Sequence, residues 1–149
     1  MIEGSKGFSE RSKRIPIEET EIFSLFEEVA DWVWQQVEKW DWKAQKTVGI
    51  QLVRAIDSVN ANLVEGDGRH TSADSLHFFT IGRASAREAR LWLKRAIDRR
   101  LVEQLDGLAQ IRKLESGAKQ LNLLMTFRRS KRSEFAVRER VPDLGSADL

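Results

Sequence analysis

The sequence predicts an all-α protein, an up-down-up-down antiparallel four-helix bundle. Three observations carry that expectation. Apolar residues recur at spacings of three and four along four successive stretches, the period of an amphipathic helix. Short polar or glycine-containing links separate the stretches, which leaves sequential helices antiparallel. The two prolines, Pro16 and Pro142, lie outside the patterned region, and no run alternates apolar with polar residues as a strand would.

The chain has 149 residues, 41% of them apolar, which suits one domain with tails. Residues 1–16 read as a flexible basic arm, broken by Gly4, Ser5, Gly7, Ser9 and Ser12 and charged by Arg11, Lys13 and Arg14. Residues 17–128 form the bundle, and 129–149 read as a basic, disordered tail. With no cysteine, disulfides and thiolate chemistry are excluded. No run reaches the length of a membrane span and the start lacks a signal-peptide core, so a cytoplasmic protein without a membrane partner is expected. No cofactor is expected.

The first helix runs from about Ile17 to Trp40, with acids Glu18, Glu19 and Glu21 in its opening turns, where they suit the helix dipole. Its core stripe is Ile22, Phe26, Val29, Val33, Val37 and Trp40; Phe23 and Trp34 widen it on one side, Leu25 and Trp32 on the other. The second helix spans about Lys43–Glu65, with a stripe of Val48, Leu52, Ala55, Ile56, Val59 and Leu63, while Ile50, Val53, Ala61 and Val64 lie on its far side. Helices apolar on two faces are central or shared between subunits, so Trp32, Trp34, Ile50 and Val53 are assigned to a contact between copies. Asn60 and Asn62 read as backbone capping and surface hydration, and Gly66 as a terminating glycine in the left-handed conformation.

After the turn Asp67-Gly68-Arg69-His70, Thr71 or Ser72 caps a third helix, with Asp74 in the capping-box position. At about 100° per residue, Phe78, Gly82, Ser85, Ala86, Ala89, Trp92, Leu93 and Ala96 share the inward face of this helix. Its small residues admit a close neighbour. The fourth helix, about Glu103–Arg128, has a heptad-like seam of Ile111, Leu114, Ala118, Leu121 and Met125, extended backwards by Leu105 and Leu108 and weakened locally by Gly107 and Gly117.

Charge is unevenly laid out behind a net value of +2. Glu18–Asp41 holds eight acids and one lysine; Arg83–Arg100 holds seven bases and two acids; Arg128–Arg140 holds six bases and two acids. Arg83, Arg87, Arg90 and Lys94 form one row opposite the inward face of the third helix. Such a row is either a solvated surface or a contact for phosphates, and the cluster Arg128, Arg129, Lys131 and Arg132 offers a second, looser hold on a polyanion.

The segment Ser58-Val59-Asn60-Ala61-Asn62-Leu63-Val64-Glu65-Gly66-Asp67-Gly68-Arg69 resembles the signature of the bacterial four-helix-bundle family, whose founding members are encoded by intervening sequences in 23S ribosomal RNA genes. A second block fits the same family: Phe79-Thr80-Ile81-Gly82-Arg83-Ala84-Ser85-Ala86-Arg87-Glu88-Ala89, then Leu91-Trp92-Leu93 and Arg99-Arg100-Leu101-Val102. Asn62, Glu65, Gly66, Gly68, Ser85 and Glu88 stand at the motif positions. The chain departs from the family at Asn60, where proline is common, and at Ala84, where glycine is. The resemblance covers about Glu18–Phe127 and implies a homopentameric ring. It also implies kinship with an accessory protein of diversity-generating retroelements, whose barrels hold a reverse transcriptase and bind nucleic acid.

Three functional readings follow. The first is a non-enzymatic oligomeric module binding structured RNA or DNA through phosphates, with weak sequence preference and strong salt dependence. The second is a protein-interaction scaffold, such as a reverse-transcriptase accessory protein, whose basic row meets an acidic surface or the first helix of another copy. The third is an enzyme, which the residues disfavour. Ribonucleases of the HEPN type place arginine a few residues before histidine, whereas here Arg69 adjoins His70 and lies eight residues from His77. Glu65 and Glu88 would have to meet across helices to form an acid–base pair. His70, Asp74 and His77 share a helical spacing but lack a further strong metal ligand nearby.

Overall fold

The structure, a computed structural model, describes residues 14–140, with side chains as far as Lys131. A 3-10 turn, Ile17–Glu19, leads into α1 (Glu21–Val37). A short α2 (Trp42–Ala44) passes through a π-helical turn, Gln45–Gly49, into α3 (Ile50–Asp67). α4 (Ser72–Asp98) and α5 (Gln104–Arg140) follow.

Local chemistry fixes the helix ends. Thr20 caps α1, its hydroxyl accepting from Phe23 N–H. Asp41 caps α2 by accepting from Ala44 N–H at 2.9 Å, and Thr71 caps α4 by accepting from Asp74 N–H at 3.2 Å. Gln45 Nε2 donates to the carbonyl of Val37 at 3.0 Å, supplying a partner for the end of α1. Between α4 and α5, Arg100 adopts φ 58° while Leu101 N–H reaches back to the Ala96 carbonyl at 2.9 Å. That is a Schellman end with arginine in the position glycine favours.

α1, α3, α4 and α5 each pack on two of the others, in the cyclic order α1–α3–α4–α5–α1. Every seam is antiparallel, because residue numbers rise on one helix as they fall on its neighbour. Gly66 meets Phe79 and Ser58 meets Ser85 across α3 and α4; Arg83 meets Asn122 and Arg90 meets Glu115 across α4 and α5. Phe26 meets Gly117 and Glu28 meets Lys113 across α1 and α5. The four-helix bundle expected from periodicity is therefore present.

The core is built from the expected stripes: Phe26, Val29 and Val33 from α1, Leu52, Ile56, Val59 and Leu63 from α3, Leu93 from α4, and Leu114, Leu121 and Met125 from α5. Several expectations need correction. On α4 the buried aromatic is Phe79, not Phe78, because the ring of Phe79 lies on Gly66 of α3. Gly66 is not a left-handed terminator: α3 continues through Asp67, no glycine among the described residues has positive φ, and a Cβ on Gly66 would stand 2.9 Å from that ring. Gly117 likewise seats Phe26, 2.8 Å from where a Cβ would lie. Leu105 does not extend the α5 seam; it is exposed. Asn60 is not a capping or hydrated residue but is buried between helices, donating to the Phe23 carbonyl and to Glu27, both at 3.1 Å.

The boundary at 129 also moves. α5 stays helical to Arg140, where the polar composition had suggested disorder. Residues 1–13 of the arm and 141–149 of the tail lie outside the described residues.

Candidate nucleic-acid interface

Arg83, Arg87, Arg90 and Lys94 form one row along α4, but the row does not lie opposite the core as expected: each member follows one of the buried residues Gly82, Ala86, Ala89 and Leu93, so the row flanks the buried face about 100° around the helix, on the side of α5. Arg83 Nη1 donates to the Asn122 side-chain carbonyl at 3.0 Å, and Arg90 Nε donates to Glu115 at 3.0 Å. The first partner is neutral, so the positive charge of Arg83 is kept. The second pair is exposed on both sides and contributes little stability. Among the described residues, no hydrogen bond or ion pair holds Arg87 or Lys94.

The neighbouring helix extends the row. Glu115, Asn122 and Arg129 are seven residues apart, which keeps them on one face of α5, and Arg112 and Lys119 share that face. Arg112, Lys119 and Arg129 are exposed. Sequence periodicity on α4 alone missed Arg112 and Lys119, since only the pairing of α4 with α5 sets them beside the row. The result is a ridge of seven cations over two helices, with Glu115 paired to Arg90 inside it and Asp98 closing the α4 row one turn beyond Lys94.

The cluster at the start of the tail divides. Arg129 belongs to the ridge, and the Arg132 side chain lies outside the described residues. Lys131 reaches over the Phe127 ring at 5.6 Å. Arg128 turns inward instead: Nη2 donates to Asp67 at 3.2 Å, and the guanidinium stacks 4.6 Å over Phe79. Asp67 also accepts from the Ile17 backbone N–H at 3.0 Å and from Arg14. This carboxylate thus ties the lead-in to α1, the end of α3 and the late turns of α5. Burial pulls its proton affinity up, but the Ile17 bond and then the two guanidiniums outweigh this and hold it below the ordinary carboxylate value. Arg128 is a packing residue, not a free surface contact. Sequence spacing carried no sign of this tie, because its members lie 53 and 61 positions apart.

The motif residues prove to be packing devices. Asn62 Nδ2 donates to the Ser58 carbonyl at 2.7 Å and to its hydroxyl at 3.0 Å, and that hydroxyl meets Ser85 Oγ at 3.0 Å across the α3/α4 seam. Glu65 pairs with Arg69, Gly68 ends α3, and Glu88 accepts from Trp92 Nε1 at 3.2 Å. Glu65 and Glu88 do not meet: the antiparallel register sets them at different heights of the bundle. Among the described residues, no three His, Asp or Glu side chains gather as metal ligands.

With this seam and its glycine seats in place, the comparison with known proteins is decisive for ancestry. Residues 18–123 match the 23S rRNA-intervening sequence protein family. The chain belongs to that family. Among curated proteins none matches the sequence. The matched span covers α1, α3, α4 and the first half of α5, and so includes most of the bundle and the ridge up to Asn122. No helix among the described residues of this family member is long and apolar enough to cross a membrane.

Of the residues assigned to a subunit contact, Trp34, Ile50 and Val53 come together around one groove of about 370 Å³ between α1 and the start of α3. Trp34 is 58% exposed there. Trp32 does not join them. It lies two residues away, about 200° around the helix, and packs with Trp40 and Trp92 against Val48, Ala96 and Val102.

Proposed function

We propose that this member of the 23S rRNA-intervening sequence protein family is a non-enzymatic, oligomeric module that holds structured RNA or DNA through phosphates. The observation that carries the reading is the ridge. Arg83, Arg87, Arg90 and Lys94 on α4, with Arg112, Lys119 and Arg129 on α5, present seven cations on one face, and Arg87 and Lys94 have no partner among the described residues. A straight cationic face without interleaved aromatics suits the regularly spaced phosphates of a folded nucleic acid better than stacked single-stranded bases. The groove around Trp34, Ile50 and Val53 lies on the opposite, α1/α3, side, so self-association through it leaves the ridge outward. A homopentameric ring is the assembly we infer. The absence of chemistry is part of the proposal: both histidines sit exposed at the start of α4, and Glu65 and Glu88 are engaged with Arg69 and Trp92.

The test is a fluorescence titration of the full chain against a structured RNA hairpin, compared with the variant carrying Arg83→Gln, Arg87→Gln and Arg90→Gln. Loss of binding in the variant supports the ridge; unchanged affinity excludes it.

One observation favours a second reading, the protein scaffold. Between α1 and α3, Glu27, Asp31 and Asp57 surround a cleft of about 220 Å³. Burial, then Glu27 and Asp31, push the Asp57 carboxyl above its ordinary value. A cation from another chain would relieve that crowding, and the basic ridge of a second copy has the matching charge. Under this reading the assembly dissociates in high salt; under the first it does not.

A further inference from the structure

A second basic site lies at the end of the bundle where α3 turns into α4. It is a cavity of about 460 Å³ between the lead-in to α1, the first turn of α4 and the late turns of α5. Four of its lining residues, Arg14, Arg69, Arg128 and Lys131, carry permanent positive charge, His70 adds an imidazole, and no lining residue is acidic. Asp67 pairs with Arg14 and Arg128 and Glu65 with Arg69, and neither carboxylate is part of the cavity lining. Two guanidiniums share Asp67, so its single negative charge leaves one positive charge over. Arg128 Nη1 is fully buried and has no acceptor among the described residues. Thr71 and Ser72 bring the N-terminal end of the 27-residue α4, capped at Asp74 N–H by Thr71, into the same wall with the positive end of its dipole. Phe127, 59% exposed, supplies a flat apolar side next to Leu124 and Ile15.

We infer that this cavity binds the phosphate monoester of a nucleotide, with the base against Phe127. A monoester carries about −2 at neutral pH and several acceptor oxygens, which matches a surplus of guanidinium donors at a helix start. The cavity lies within the roughly 300–1,000 Å³ range of small-molecule sites, larger than a bare phosphate needs. Two sources share this chemistry, a free mononucleotide and the phosphorylated end of a nucleic-acid strand. The inference uses none of the ridge residues, so it stands or falls apart from the function proposed above.

The full chain is titrated with a short RNA labelled at its 3′ end and bearing either a 5′-phosphate or a 5′-hydroxyl, and by calorimetry with adenosine monophosphate and adenosine. The phosphorylated strand, the mononucleotide or both should bind about tenfold tighter than the unphosphorylated counterpart. The strand arm alone marks a strand end as ligand, and the mononucleotide arm alone marks a free nucleotide. Arg69→Gln, a surface change in an exposed pair, should erase the preference, while the triple ridge variant should keep it. Equal binding with and without phosphate in both arms overturns the inference, as does a preference that survives both Arg69→Gln and Arg14→Gln.

Discussion

Asp67 is the residue on which most of the chain's distant parts depend. It accepts from Ile17, Arg14 and Arg128, and its removal leaves two guanidiniums facing each other with a half-buried nitrogen set unmet. Asp67→Asn should cost about 1.5–3 kcal/mol at neutral pH, the range for hydrogen bonds to charged groups, measured by urea unfolding. The pH dependence has a fixed sign. Because the folded carboxyl titrates below its ordinary value of 3.8, its contribution is complete above that value and is lost as pH falls through the lower folded one. The gap between wild type and Asp67→Asn should therefore close in strong acid. None of this was visible in the sequence, where Asp67 stood only as a turn residue and Arg128 as part of a basic run. A tie between residues more than fifty positions apart leaves no periodic trace.

At the scale of elements, periodicity located each helix and most of its buried face. Ile22, Phe26, Val29 and Val33, and likewise Ile111, Leu114, Leu121 and Met125, are buried as their spacing demanded. Where the reading failed, a neighbour decided. Phe79 displaced Phe78 from the core because Gly66 across the seam offers a seat, and Asn60 went inside because Phe23 and Glu27 supply acceptors. Gly117 was read as a local weakness of α5, yet it makes room for Phe26. Gly117→Ala gains about 1 kcal/mol of helix propensity but must displace a fully buried ring, a strain of about 1–3 kcal/mol. The net expected from thermal unfolding is no gain or a loss. The link between α4 and α5 has the opposite sign. Arg100 occupies the left-handed region at φ 58°, which costs a non-glycine residue about 1–2 kcal/mol. Arg100→Gly should raise the stability by about 1 kcal/mol in the same experiment.

The whole molecule is two-sided. The α1/α3 side carries an acidic cleft and an apolar groove; the α4/α5 side carries the ridge. The row on α4 was legible from spacings alone, whereas Arg112, Lys119 and Arg129 joined it only through the pairing of helices. Trp34, Ile50 and Val53 were likewise legible as surplus apolar residues, and Trp32 was misplaced because a broad apolar arc does not say which edge meets the subunit's own helices. Trp34→Glu should reduce the oligomer to a folded monomer, read as mass by light scattering with an unchanged helical circular dichroism spectrum. A wild-type protein that is already monomeric at micromolar concentration would remove the groove from the account.

The ridge itself is tested most directly by the salt dependence of binding to a structured RNA hairpin. Each phosphate contact releases a counterion, so affinity should fall linearly on logarithmic axes as salt rises, with a slope near −0.7 to −0.9 per contact. Replacing Arg83, Arg87 and Arg90 together by glutamine should make that slope shallower by about two to three and weaken binding at every salt concentration. A slope identical in wild type and triple variant would show that these arginines do not meet phosphate.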